Sequence, residues 1–170
     1  MENDKINKSI FFTTILFFIS GCSEKMIAAS INGYNHTENI AIGIFSVNGG
    51  MGANVNPQSG GGKETCCVMI PKKWRAGLKA EIEWSYDTEQ NDPNPPLPSQ
   101  KIIIDIPEYR KPGRIQVHFY DNHRIKLVVS DCSITHPFYP MSEKDKFPWI
   151  SYDKEEEIKA MKRDGRKNQC

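Results

Sequence analysis

The chain has 170 residues, with 22 Lys and Arg against 21 Asp and Glu and a formal net charge of +1. That length bounds one domain able to bury a real core without depending on disulfides. The evenly mixed charge excludes any bulk electrostatic case for a nucleic-acid partner.

Lys5 and Lys8 precede an apolar run from Ile10 to Ile19. The run has the length of a secretory h-region, about 7–15 residues. It is too short to cross a bilayer core of about 30 Å as a helix. Residues 1–21 therefore read as a signal peptide rather than an anchor. Ile19-Ser20-Gly21-Cys22 closes it, and this tetrapeptide resembles the lipobox of bacterial lipoproteins. The resemblance implies that Cys22 becomes the first mature residue, acylated (with palmitate among its chains) on its thiol and its new amino group. One acyl chain binds a membrane only marginally, at about 0.8 kcal/mol per buried methylene, whereas several on one residue anchor stably. Ser23 stands where an aspartate would, in that family, hold the protein at the inner membrane. The expected place is the outer membrane, lipid-anchored and facing the periplasm.

After a tether over residues 22–26, a β domain is expected over 27–150. Ile27 to Ile31 and Asn39 to Val47 read as strands, the second with Ile40, Ile42 and Ile44 on one face. Residues 48–62 are rich in glycine and read as a flexible loop. Glu64 to Ile70 is a short, nearly continuous apolar strand, and Pro71 to Gly77 a turn. In Leu78 to Tyr86, the residues Ala80, Ile82, Trp84 and Tyr86 alternate with polar ones, the period of a strand with one buried face. Pro93, Pro95, Pro96 and Pro98 make the stretch from Asp87 to Ser99 a polyproline-like surface loop. Lys101 to Ile106 is a further strand, stopped by Pro107.

Gly113 to Tyr120 and Arg124 to Ser130 form the strongest hairpin signal. Ile115, Val117 and Phe119 oppose Ile125, Leu127 and Val129, and Asn122 tolerates the left-handed turn. Asp131 to Trp149 is irregular and aromatic, with Phe138, Tyr139, Phe147 and Trp149 among prolines. Residues 151–170 hold a C-terminal helix and tail, in which Asp153 and Glu156 form a capping box and Glu155 and Lys159 an i,i+4 pair. Ile158 and Met161 alone give that helix an apolar face, so it is peripheral or frayed. The fold class expected is mainly β, an antiparallel β-sandwich or partly rolled sheet with one short C-terminal helix.

With Cys22 acylated, Cys66, Cys67, Cys132 and Cys170 are left in an oxidising compartment. Successive strand residues point to opposite faces, so only one of Cys66 and Cys67 looks into the core. A disulfide from either of them to Cys132 is expected, with the other a buried apolar thiol and Cys170, at a fraying end, free or variably oxidised.

No constellation for chemistry stands out. Gly60-Gly61-Gly62-Lys63 lacks the glycine and the Ser or Thr of a phosphate loop, having Pro57 and Glu64 in those places. Gln58-Ser59-Gly60 fails as a nucleophile elbow on the same Pro57. The cysteine pair lacks CxxC spacing and a flanking histidine to depress a thiol pKa. His118, His123, Cys132 and His136 carry zinc-type ligands, but His118 is read on the outward face and His123 in the turn, so solvated histidines are expected. Trp74 reads as a plug at the end of the core, with Gly77 bending the backbone. The aromatics from His136 to Trp149 fit a recognition surface or a lid folded back on the core equally well. Neither a cofactor, a metal nor an enzymatic activity is expected.

Gly60 to Leu78, with its glycine run, its double cysteine and Trp74-Arg75-Ala76-Gly77-Leu78, followed by Glu83-Trp84, is similar to a family of small bacterial lipoproteins known as a domain of unknown function. The early segments Ile31 to Thr37 and Ile44 to Gly49 echo it, although Ala76 stands where proline is expected. The resemblance implies an immunity protein that neutralises a type VI secretion phospholipase effector in the periplasm. A tethered inhibitor of that kind needs a rigid scaffold presenting loops with a few aromatic anchors. The stiff segments carrying Pro95 and Pro96, and Phe138, Tyr139 and Trp149, are the partner-binding candidates. A structural or ligand-binding envelope lipoprotein without a toxin partner is the alternative.

Overall fold

A computed structural model of the chain describes residues 23–87, 97–149 and 153–165. Cys22, Pro95, Pro96, Cys170 and most of the expected proline-rich loop lie outside them. The described chain is mainly β, in two sheets with no closed barrel and one helix near the C-terminus. Its strands are β1 (Met26–Asn35), β2 (Ala41–Val47), β3 (Gly50–Gly52), β4 (Ser59–Gly60) and β5 (Thr65–Pro71), then β6 (Lys79–Asp87), β7 (Gln100–Asp105), β8 (Arg114–Phe119) and β9 (Ile125–Ser130). The first sheet runs β4-β1-β8-β9, with β5 also on β1, and the second runs β3-β2-β6-β7.

The hairpin forms as its sequence directs. Ile115 faces Val129, Val117 faces Leu127 and Phe119 faces Ile125, and Asn122 and His123 both adopt positive φ at the turn, 57° and 59°. The first sheet is nevertheless mixed, because β1 runs parallel to β8 with Ile31 opposite Ile115 and Tyr34 opposite His118. The inward residues of both sheets share one core. Phe119, 1 % exposed, meets Phe45 edge-on at 5.2 Å and Trp84 at 5.9 Å between ring centroids. Burying each such side chain contributes about 1.5–3 kcal/mol. Trp74 plugs one end as its position suggested, half-buried on this core and donating its indole N–H to Ile106 O at 2.9 Å.

The expected common face of Ile40, Ile42 and Ile44 is broken. A register shift between Ile42 and Ile44 inserts Gly43 as an extra residue, so Ile42 is buried while Ile44 is 57 % exposed and Phe45 turns inward. Residues 48–62 are not wholly irregular either, since they contribute β3 and β4 and a bridge from Val55 to Ile42. Glycine serves close approach here. A Cβ on Gly52 would run into the Phe45 ring, and one on Gly61 (φ +73°) would stand 2.7 Å from the Tyr34 hydroxyl.

The cysteine pairing also differs from expectation, because Cys66 is bonded to Cys67. Cys132 takes part in a disulfide, but to neither of these. It follows β9, and β5 lies on the far side of β1 and β8. Three strand spacings of about 4.8 Å separate the two strands, beyond the roughly 7 Å between Cα atoms that a disulfide spans. Helix α1 covers Lys154–Arg163, and the Asp153 side chain caps it by accepting from the N–H groups of Glu155 and Glu156 at 2.9 and 3.2 Å. Met161 is buried and Ile158 half-buried.

Candidate functional site

The parallel register of β1 and β8 sets two pairs of polar aromatic side chains side by side on the outer face of the first sheet. Tyr34 stacks on His118 at 4.7 Å and 5°, and His36 stacks on Tyr120 at 4.1 Å and 18°. Each pair member is two residues from the next on its own strand, so one sheet face carries all four. Residues 131–149 fold over this face as a strap. Its Tyr139 is buried against the sheet, and its Trp149 makes edge contacts with Tyr34 at 5.5 Å and His36 at 4.8 Å.

Under the strap runs a chain of hydrogen bonds. His36 Nδ1 lies 2.5 Å from Phe147 O, His36 Nε2 lies 2.9 Å from His118 Nδ1, and His118 Nε2 lies 2.7 Å from the Tyr139 hydroxyl. That hydroxyl is also 3.2 Å from Gln116 Oε1. The Gln116 amide is oriented by its own donations to Ser130 O and Cys132 O at 2.9 and 3.0 Å. The Phe147 carbonyl only accepts, so His36 must donate from Nδ1 and accept at Nε2. His118 then donates from Nδ1, and its Nε2 takes the Tyr139 proton. Neutral side chains thus bring three hydrogens to four links, and Gln116 Oε1 holds the longest one.

Burial dominates the electrostatics. It lowers His36 to about 4, with the Phe147 carbonyl opposing. It also holds His118 well below the usual imidazole value, with His36 adding to the effect, and raises the hydroxyls of Tyr34, Tyr120 and Tyr139. At the strap's far end Asp145 is lowered to about 2 by hydrogen bonds from Lys126 and Ser142. Lys126 Nζ stands 2.5 Å and Arg124 3.6 Å from its carboxylate. The Tyr120 hydroxyl donates to Asp145 O at 2.8 Å, and Arg124 lies 3.8 Å over the Tyr120 ring.

This corrects the reading of the histidines. His118 points outward from the core, as its parity requires, yet it is fully buried because the strap covers that face. The candidate zinc set is not brought together. His118 pairs with His36, His123 is bonded to Tyr86 Oη at 2.5 Å, and His136 Nδ1 accepts from Phe138 N–H at 3.2 Å. Among the described residues no three His, Cys, Asp or Glu side chains converge as metal ligands, and no helix is long and apolar enough to cross a membrane. Of the partner-binding candidates, Tyr139 is buried, and Phe138 and Trp149 are half-buried. Phe147, an aromatic of the same segment, is 60 % exposed. His36 was missed by sequence reasoning. The signal that finds it is the matching pair of Tyr-x-His and His-x-Tyr triplets, Tyr34 to His36 and His118 to Tyr120.

Among known proteins, no curated sequence and no solved structure matches the chain. The family profile DUF3304, described as a protein of unknown function, matches residues 34–127. That span opens on Tyr34 and His36 and takes in His118 and Tyr120, the residues on which the strap is laid. It covers more than half of the 170 residues, and the chain belongs to the DUF3304 family of proteins of unknown function.

Proposed function

We propose that the protein is a periplasm-facing lipoprotein that binds and neutralises a phospholipase effector, an immunity protein of the type VI secretion kind. The toxin class and the lipid anchor rest on the sequence resemblances at Gly60 to Leu78 and at Ile19 to Cys22. The binding role is supported by one observation above others, the exposed Phe147 ring on a strap that is otherwise pinned down. Its carbonyl is held by His36, its neighbour Trp149 by Tyr34 and His36, and Asp145 two residues earlier by Lys126. An aromatic side chain presented from an ordered segment loses little entropy on docking, which is what distinguishes interface anchors from ordinary exposed residues. A lipid tether would raise the inhibitor's local concentration where a phospholipase meets its substrate.

The test is co-purification from periplasmic extract with the product of the adjacent gene, expected to be a hydrolase, together with a vesicle-hydrolysis assay. Recovery of the hydrolase, loss of its activity on adding this protein, and weaker inhibition by Phe147→Ala are the expected results. Capture of no lipase, or full inhibition by Phe147→Ala, removes the reading. The anchor is checked separately by labelled palmitate, whose incorporation must vanish in Cys22→Ser.

A further inference from the structure

Strand β7 closes the second sheet, and among the described residues no strand pairs with its other edge. Its central residues Lys101-Ile102-Ile103-Ile104-Asp105 expose Ile103 at 61 % and Ile102 at 37 %. An open, apolar edge strand is a template for another strand. The backbone polarity of this edge is fixed by one hydrogen bond, Ile106 N–H to Leu78 O at 2.8 Å. Because the groups of successive residues alternate, those of Ile102 and Ile104 also point to β6, and the N–H and C=O groups of Lys101, Ile103 and Asp105 point outward.

The sequence along this edge is complementary to itself when reversed. We propose that β7 pairs antiparallel with β7 of a second copy of this chain, about a two-fold axis at Ile103. Ile103 then faces its own copy, Lys101 faces Asp105 of the other copy, and Asp105 faces the other Lys101. All three are residues whose backbone groups point outward, so each opposed pair exchanges both hydrogen bonds and none is left over. On the same face Lys101 already meets Glu83 at 2.5 Å and Glu81 at 2.9 Å, and Asp105 meets Lys79 at 2.7 Å. Pairing would extend these into rows that alternate in sign across the joined sheets, Glu83 to Lys101, then to Asp105 and Lys79 of the other copy. Between the two charged rows the Ile103 side chains cover one another. On the opposite face Ile102 meets Ile104 of the other copy. Any other register by an even number of residues loses both charge pairs, and an odd shift turns the isoleucines to the wrong face.

The test measures the mass of the full chain by sedimentation equilibrium in density-matched nonionic detergent, up to about 1 mM, the weak end of specific association. Wild type is expected to dimerise. Lys101→Asp places Asp against Asp, Asp105→Lys places Lys against Lys, and each alone should weaken self-association about tenfold or more. An equal mixture of the two variants restores both opposite-charge pairs, so a heterodimer should reappear. Both positions are exposed, and circular dichroism checks that the variants fold. A monomeric wild type overturns the proposal. So does dimer that persists in both variants, as it would if two chains merely shared a micelle, or a mixture that stays monomeric.

Discussion

His36 and His118 stand nitrogen to nitrogen, Nε2 of the first 2.9 Å from Nδ1 of the second, with neither side chain open to water. Their chain of links is one hydrogen short of complete, yet an added proton would bring a charge into a site faced by Arg124 and Lys126, which Asp145 offsets in part. Burial is the larger effect, and both histidines stay neutral far below their unfolded value of about 6.5.

Acid should therefore unfold the protein through these two groups. Above about pH 6.5 folded and unfolded states are equally neutral at both sites, and stability is full. As the pH falls from there to about 4, where His36 itself titrates, the unfolded chain takes up protons that the folded chain refuses. Each proton costs about 1.4 kcal/mol per pH unit. Asp145, lowered to about 2, keeps its stabilising charge through that window and loses it only at lower pH. Urea midpoints at successive pH values should fall between pH 6.5 and 4, and His36→Gln should flatten the slope by about one proton. A flat profile contradicts the assignment.

Tyr139→Phe removes the hydrogen that His118 Nε2 receives, along with the hydroxyl that stands beside Gln116 Oε1. One buried acceptor, His118 Nε2, is left dry, at a cost of about 1–3 kcal/mol. The denaturant midpoint should fall accordingly, and Trp149 emission should shift red as the strap loosens.

Asp145→Asn weakens the grip of Lys126 and Ser142 on the far end of the strap. Since Lys126 is more than a third exposed, the loss should be about 1–2 kcal/mol rather than the full value of a buried charge. Amides of residues 142–147 should exchange faster while those of β8 are unchanged.

Phe119→Ala empties the contact between Phe45 and Trp84 at the middle of the core. A loss of about 3–5 kcal/mol is expected, read as a lower Tm with a matching change in Trp84 fluorescence.

The elements most legible in the sequence were those with local causes. The β8–β9 hairpin announces itself by alternation on both sides of Asn122, and β6 by Ala80, Ile82 and Trp84. What periodicity conceals is anything imposed from a distance. Nothing near Ile44 shows that Gly43 inserts a bulge, because the reason lies in pairing with β6. The outer parity of His118 was readable, but its burial depends on residues 131–149, which have no period and could not be assigned a resting place. The glycines of 48–62 read as slack, whereas Phe45 needs Gly52 bare and Tyr34 needs Gly60 and Gly61 bare.

The parallel pairing of β1 with β8 carries a consequence for how the chain assembles. Ile31 meets Ile115 only after the six strands from β2 to β7 have been synthesised between them. The earliest strand to emerge is among the last to be flanked on both edges, so a nascent chain cut anywhere before residue 114 exposes the long side of β1 to whatever strand arrives first. Assembly runs against the order of synthesis, and such late closure of distant contacts makes for slow maturation.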